Sequence, residues 1–180
     1  MPKRLLLSAL LLTQCTFSFA QIHAHGHGQA FVAQEGNTWK ISIVLPAADV
    51  LGFEHAPETE EQKKIVKDFR HLVSAGNEVL ILNKSCHRTV LEIKVPEESE
   101  HDHGEEHHDS HKHHSEELHA EATHENVEIN FEFNCKSTVE TVSFPLILEL
   151  KSLETVNVQW FTDSGQGASK VTKSSIKLSL

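Results

Sequence analysis

Histidine supplies most of the chemistry available to this chain. Fifteen are present in 180 residues, and nine of them crowd between His101 and His124. Neutral imidazole is the commonest protein ligand for divalent transition metals, and Zn2+ accepts imidazole nitrogen and carboxylate oxygen together. The crowded stretch offers both. His101, His103, His107, His108, His111, His113, His114, His119 and His124 lie among Glu, Asp and Ser, with Lys112 as the single basic residue. His103, His107 and His111 are spaced by four, so a transient helix puts them on one face; His108–His111 and His111–His114 are pairs at spacing three. Interchangeable sites of modest affinity are the expectation, because a floppy segment must be ordered on binding. His103-Gly104-Glu105-Glu106-His107 matches the H-x-x-E-H pattern of inverted zinc proteases. Such a protease must bury an apolar helix face, and these charged flanks offer none.

Two further histidine groups lie outside that stretch. His23, His25 and His27 alternate, so an extended strand points all three the same way, with Gly26 and Gly28 allowing close approach to one ion. His55 follows Gly52-Phe53-Glu54 in a loop between a strand and a helix. Glu54 either binds metal directly or accepts a ring N–H from a ligating imidazole. His71, beside the apolar face of the helix, and His87, next to Cys86, read as structural. Imidazole's reference pKa near 6.5 makes metal release on acidification, below about pH 6, the expected behaviour of any such site.

The elements that must position these groups begin after a leader. Lys3 and Arg4, the apolar run Leu5 to Leu12 and Ser18-Phe19-Ala20 form a signal peptide over residues 1–20, cut between Ala20 and Gln21. The apolar run is too short to span a bilayer, and Gln14 before Cys15 is the wrong residue for lipidation. The mature chain, 21–180, is then a soluble periplasmic protein. Losing Lys3 and Arg4 takes the net charge from -10 to -12, which argues against nucleic acid and anionic membranes and favours cations. Cys86 and Cys135 remain. An isolated pair in an oxidising compartment reads as a disulfide, with a soft metal site of Cys86, His87 and Cys135 as the alternative.

The mature chain divides by composition into 21–96, 97–125 and 126–180. Ala30 to Gln34 and Trp39 to Leu45 read as a hairpin turning at Gly36-Asn37, and Pro46 ends the second strand. Thr59 and Gln62 form a capping box for a helix whose face is Ile65, Val66, Phe69, Leu72 and Val73, stopped by Gly76. Glu78 to Leu82 and Thr89 to Val95 look like strands. Val127, Ile129, Phe131, Phe133 and Cys135 alternate with polar residues at the period of a half-buried strand; Phe144 to Leu150, Val156 to Phe161 and Ser175 to Leu180 repeat the pattern. One-sided alternation belongs to antiparallel sheets. The expected fold is α+β: a single metal-binding domain, mostly antiparallel sheet with one principal helix, interrupted at 97–125 by a disordered His-rich insertion. That insertion has no apolar periodicity and cannot offset its ordering entropy. A Cys86–Cys135 bridge is expected to pin its base.

The stretch His23 to Ala30, then Leu45-Pro46-Ala47 and Gly52-Phe53-Glu54-His55-Ala56-Pro57, resembles a family once known only as a domain of unknown function, which includes the ZrgA-type periplasmic zinc-binding proteins. The likeness runs on through the two cysteines flanking a His-rich insertion and covers essentially the mature chain. It implies a periplasmic component that captures zinc for an inner-membrane importer, with a fold unlike the two-lobed solute-binding proteins. The positions it carries over are His23, His25, His27, Glu54, His55 and the histidines of the insertion. Two other functions compete. One is a buffer or resistance protein sequestering excess zinc, copper or nickel, since such sites bind Cu2+ and Ni2+ at least as well. The other is a zinc hydrolase with Glu54 as base; no catalytic motif supports it, and a binding protein rather than an enzyme is the expectation.

Overall fold

The computed structural model describes residues 25–75, 79–96 and 125–180. The leader expected over residues 1–20, His23, the stop expected at Gly76 and the nine histidines of the His-rich insertion lie outside the described residues. Among the described residues the order is β1 (His27–Glu35), β2 (Thr38–Pro46), α1 (Ala47–Leu51), α2 (Glu60–Ala75), β3 (Cys86–Lys94) and β4 (Asn126–Cys135), then β5 (Thr141–Ser143), α3 (Leu146–Glu149), β6 (Thr155–Thr162), β7 (Gly165–Thr172) and β8 (Lys177–Ser179).

The alternating segments become one six-stranded sheet, ordered β3-β4-β2-β1-β6-β7, with β5 and β8 paired separately. Every pairing is antiparallel except β1 against β6, which run parallel. Period-two patterning puts one set of side chains inside. Val32, Ile41, Ile43, Leu45, Val127, Ile129 and Val158 are all at most 2% exposed. They share a core with Val66, Phe69 and Val73 of α2 and with Phe144, Ile147 and Leu178. The other sheet face meets solvent and carries Phe31, Val90 and Phe161, all exposed. A sheet covered on one side only is what one-sided alternation encodes.

Local signals explain where α2 begins. The Gln62 amide donates to Thr59 Oγ1 at 3.2 Å, and the Thr59 amide donates back to Gln62 Oε1 at 3.1 Å. This is the reciprocal pair that satisfies two first-turn donors. The last turn is tied to β3, because Arg88 Nη2 donates to the Ser74 carbonyl at 2.9 Å. Leu72, expected on the buried face, is exposed instead, whereas Val66, Phe69 and Val73 carry the packing.

Three expectations about elements need correction. The strand expected over Glu78 to Leu82 reduces to one bridge, Ile81 opposite Ser143. The strand expected over Phe144 to Leu150 is the helical turn α3, with Pro145 at its N-cap (φ -60, ψ -24). Burial there falls on Leu146, Ile147 and Leu150 while Leu148 is exposed, a helical spacing that the short apolar run disguised. The edge strand β7 was not foreseen; of its eight residues only Val171 is buried.

The position of the disulfide is a fourth correction. Cys86 and Cys135 are bonded, S–S 2.01 Å, across directly opposed positions of β3 and β4. They do not pin the base of the insertion. The chain leaves β3 after Lys94 and returns at Asn126, the opposite end of the same ladder. At about 3.3 Å per residue the two ends are roughly 25 Å apart. With each sulfur bonded to the other, a thiolate site with His87 is also excluded in this state; His87 is exposed, as is His71.

Two expected outcomes follow from this packing. A Cβ at Gly28 would come within 2.5 Å of Leu45 Cδ2, so Gly28→Val should cost about 1–3 kcal/mol by overpacking in urea unfolding. Gln29→Val, on the open face, should change stability by less than about 0.5 kcal/mol. Replacing both cysteines by serine should cost about 2–4 kcal/mol, because the bridge closes a 49-residue separation; unchanged stability would mean the bridge does not form.

Candidate metal centre

The candidate centre is assembled at the end of the sheet where β1 begins and β2 ends. Pro46, the last residue of β2, pairs with Asn126 and leads directly into α1. The Ala47 amide donates to the Glu125 carbonyl at 3.0 Å, fixing α1 to the start of β4. One turn later α1 stops at Gly52, which is left-handed (φ 84) and donates its amide to the Ala48 carbonyl. The loop carrying Phe53, Glu54 and His55 begins there.

Opposite α1, the chain enters β1 through a turn at His25-Gly26. Gly26 has φ 80, a conformation that side-chain-bearing residues rarely adopt. A Cβ on it would also meet Glu154 Cγ at 3.3 Å and the Ser152 carbonyl at 3.4 Å. Both polar atoms of Gly26 are used: its carbonyl accepts from the amides of Glu154 (2.8 Å) and Thr155 (3.0 Å), and its amide donates to Asp49 Oδ2 at 2.5 Å. Asp49 comes from α1, and its side chain is only 4% exposed. A carboxylate so deep in the protein must be hydrogen-bonded to be tolerated.

This clamp sets His25 between two acids. Its Nδ1 is 4.0 Å from Asp49 Oδ1, and its Nε2 is 3.9 Å from Glu54 Oε1. A tetrahedral zinc ion, with bonds of about 2.0–2.2 Å, holds two such donors about 3.4 Å apart. Closing Nε2 and Glu54 Oε1 by roughly half an ångström therefore makes them a ligand pair, a small motion for an imidazole that is 65% exposed. Two carboxylates around one imidazole also make the corner attractive to cations.

The other expected ligands among the described residues, His27 and His55, lie apart from this pair. The extended arrangement foreseen for the first three histidines does not hold between His25 and His27, because Gly26 turns the chain there; His23 lies outside the described residues. His27 Nδ1 sits 2.7 Å from Thr155 Oγ1; a hydroxyl donates or accepts, so this contact holds the ring without choosing its tautomer. His55, though next to Glu54 in sequence, is held by its own loop. Its Nδ1 donates to the Ala56 carbonyl at 2.7 Å, its ring leans on Phe53 at 5.4 Å between centroids, and Glu58 Oε1 is 4.0 Å away. Since a carbonyl only accepts, neutral His55 keeps its proton on Nδ1 and its lone pair on Nε2, the form a metal needs. Among the described residues no group of three or more His, Cys, Asp or Glu side chains is gathered closely enough to hold an ion.

Asp49 is the residue that sequence reasoning missed. A signal was there: it is the one charged residue in the run Leu45 to Phe53. A lone acid inside an apolar stretch is buried with a partner or for a purpose.

No curated relative matches the sequence. A family model described as ZrgA family zinc uptake protein matches residues 22–180, a span that takes in the His25–Gly26 turn, Asp49, Glu54, both cysteines and every strand described above. The chain belongs to the ZrgA family of zinc uptake proteins.

Proposed function

We propose that this protein is a periplasmic zinc-capture protein, not an enzyme, that loads one ion at the His25–Glu54 corner and delivers it to an inner-membrane importer. The observation that carries the reading is His25 Nε2 facing Glu54 Oε1 at 3.9 Å in a member of a zinc uptake family. His27 and His55 stand on the flanking segments as candidate further donors, supplied when the ion draws the turn and the loop together, and His23 is a further candidate from its place in the sequence alone. Transport asks for such a part-built site, since an ion that must later leave is better served by few ligands and by donors that come and go.

The histidines between His101 and His124 act in this reading as a collector. The segment's two described ends support that role. Glu125 accepts the Ala47 amide two residues from Asp49, and β3 ends at Lys94 on the same side of the sheet. Nine weak ligands tethered there raise the local zinc concentration at the corner without any added contact.

A zinc titration against a competing chelator separates the parts, on residues 21–180, on a form in which 101–124 is replaced by a short Gly-Ser linker so that Glu125 and its bond to the Ala47 amide are kept, and on His25→Ala. Deleting the segment should remove weak sites and leave the tight one. His25→Ala should weaken the tight site by about 100-fold or more, since even supporting groups cost 10–100-fold. If all binding leaves with the segment, the protein is a zinc buffer and the corner assignment is wrong.

A further inference from the structure

We infer that Asp49 is the positioning residue of the zinc site: it holds the His25–Gly26 turn through one carboxylate oxygen and, through the other, fixes the His25 tautomer that presents Nε2 to the ion. This deepens the proposed zinc-capture reading and rests on it.

The geometry separates the roles of the two acids. Exposure rises across the site from Asp49 (4%) to Glu54 (25%) to His25 (65%). An ion arriving from solvent therefore meets Glu54 and the outer nitrogen of His25. Asp49 lies behind them, on the Nδ1 side, with Oδ2 already occupied by the Gly26 amide. Its Oδ1 faces Nδ1 at 4.0 Å, too long for a hydrogen bond but within reach of a slight ring rotation. A carboxylate only accepts, so the contact it offers is to an Nδ1–H. Glu54 offers the same contact to an Nε2–H in the empty site, at 3.9 Å; once an ion takes that proton's place beside Glu54, the proton held at Nδ1 by Asp49 leaves the Nε2 lone pair to the metal. A carboxylate behind a ligating imidazole orients the ring and raises its basicity.

The same hydrogen bond explains why the turn and the ring are linked. Gly26 is held on both sides, by Asp49 at its amide and by Glu154 and Thr155 at its carbonyl. The residue just before it, His25, has its backbone placed by that clamp. Asp49 thus sets both where the imidazole starts and which nitrogen it shows.

The test uses Asp49→Asn and Asp49→Ala in the mature chain, with zinc affinity by chelator competition, thermal midpoint, and the His25 tautomer by long-range 1H–15N NMR. Asparagine keeps an oxygen for the Gly26 amide but turns an NH2 toward Nδ1. That donor favours the proton on Nε2 and blocks the ligand nitrogen. Asp49→Asn should therefore melt close to the wild type yet bind zinc 10–100-fold more weakly, with its apo tautomer shifted to Nε2–H. Asp49→Ala should melt lower, with zinc binding no weaker than in Asp49→Asn. A merely structural role predicts the same order for stability and affinity. Should Asp49→Asn not fold, the wild type decides: zinc on Nε2 of His25 supports the inference, and zinc on Nδ1 overturns it. Tight binding that needs His25 but ignores Asp49→Asn overturns this inference alone. Tight binding that survives His25→Ala overturns the zinc-site reading as well.

Discussion

A buried carboxylate has to find hydrogen-bond donors, and Asp49 finds one in the Gly26 main chain, 23 residues earlier. That bond joins α1 to the entrance of β1, the two pieces of chain on which the candidate centre is built. Removing it would leave a 4% exposed charge without this partner and a turn without its inner anchor. Leaving such a group unsatisfied costs about 1–3 kcal/mol or more, a large share of a small domain's margin. The strands would still pair, but among the described residues no other acceptor holds the Gly26 amide. The rest of the centre follows from where the sheet puts those two pieces. The register of β2 against β4 sets where α1 starts, and the parallel pairing of β1 with β6 brings Glu154 and Thr155 under Gly26.

The two ends of the sheet are stabilised by different means. At the far end a disulfide joins β3 to β4, and the Cys135 amide donates to the Asn37 carbonyl at 2.9 Å. At the near end the links are hydrogen bonds, a left-handed glycine turn and a short helix. Such links allow the half-ångström adjustments that metal loading would ask of His25 and Glu54 at the proposed site. A covalent bridge at the base of the insertion would have stiffened the end that carries the proposed ligands. Its displacement by the whole length of β3 leaves that end adaptable while β3 stays bonded to β4.

Much of this was legible in the sequence, and the failures have physical causes. The β1–β2 hairpin, the alternating strand β4 and the capped helix α2 each carry a strong periodic or capping signal, and each is present. The helical turn α3 was hidden because Phe144 to Leu150 is too short and too apolar to distinguish periods. The edge strand β7 was hidden because Gly165, Gly167, Ser169 and Lys170 give no alternation, and an edge strand with little to bury needs none. At the centre, residue type alone singled out His25 and Glu54. Their meeting depends on a turn at Gly26 that a strict alternation of histidines suggested would be straight. His55 shows the opposite case, since adjacency to Glu54 in sequence did not place it beside His25. Asp49 was missed because its importance lies in a contact across 23 residues, which no local pattern reveals.

The most direct test of the account is residue-resolved NMR of residues 21–180 as the first equivalent of zinc is added at neutral pH. The account predicts that the earliest and largest changes fall on the amides of Gly26, Asp49 and Glu54 and on the His25 ring, with the histidines between His101 and His124 responding as further zinc enters. A first equivalent that perturbs only the 101–124 segment, leaving Gly26 and Glu54 unmoved, would contradict it.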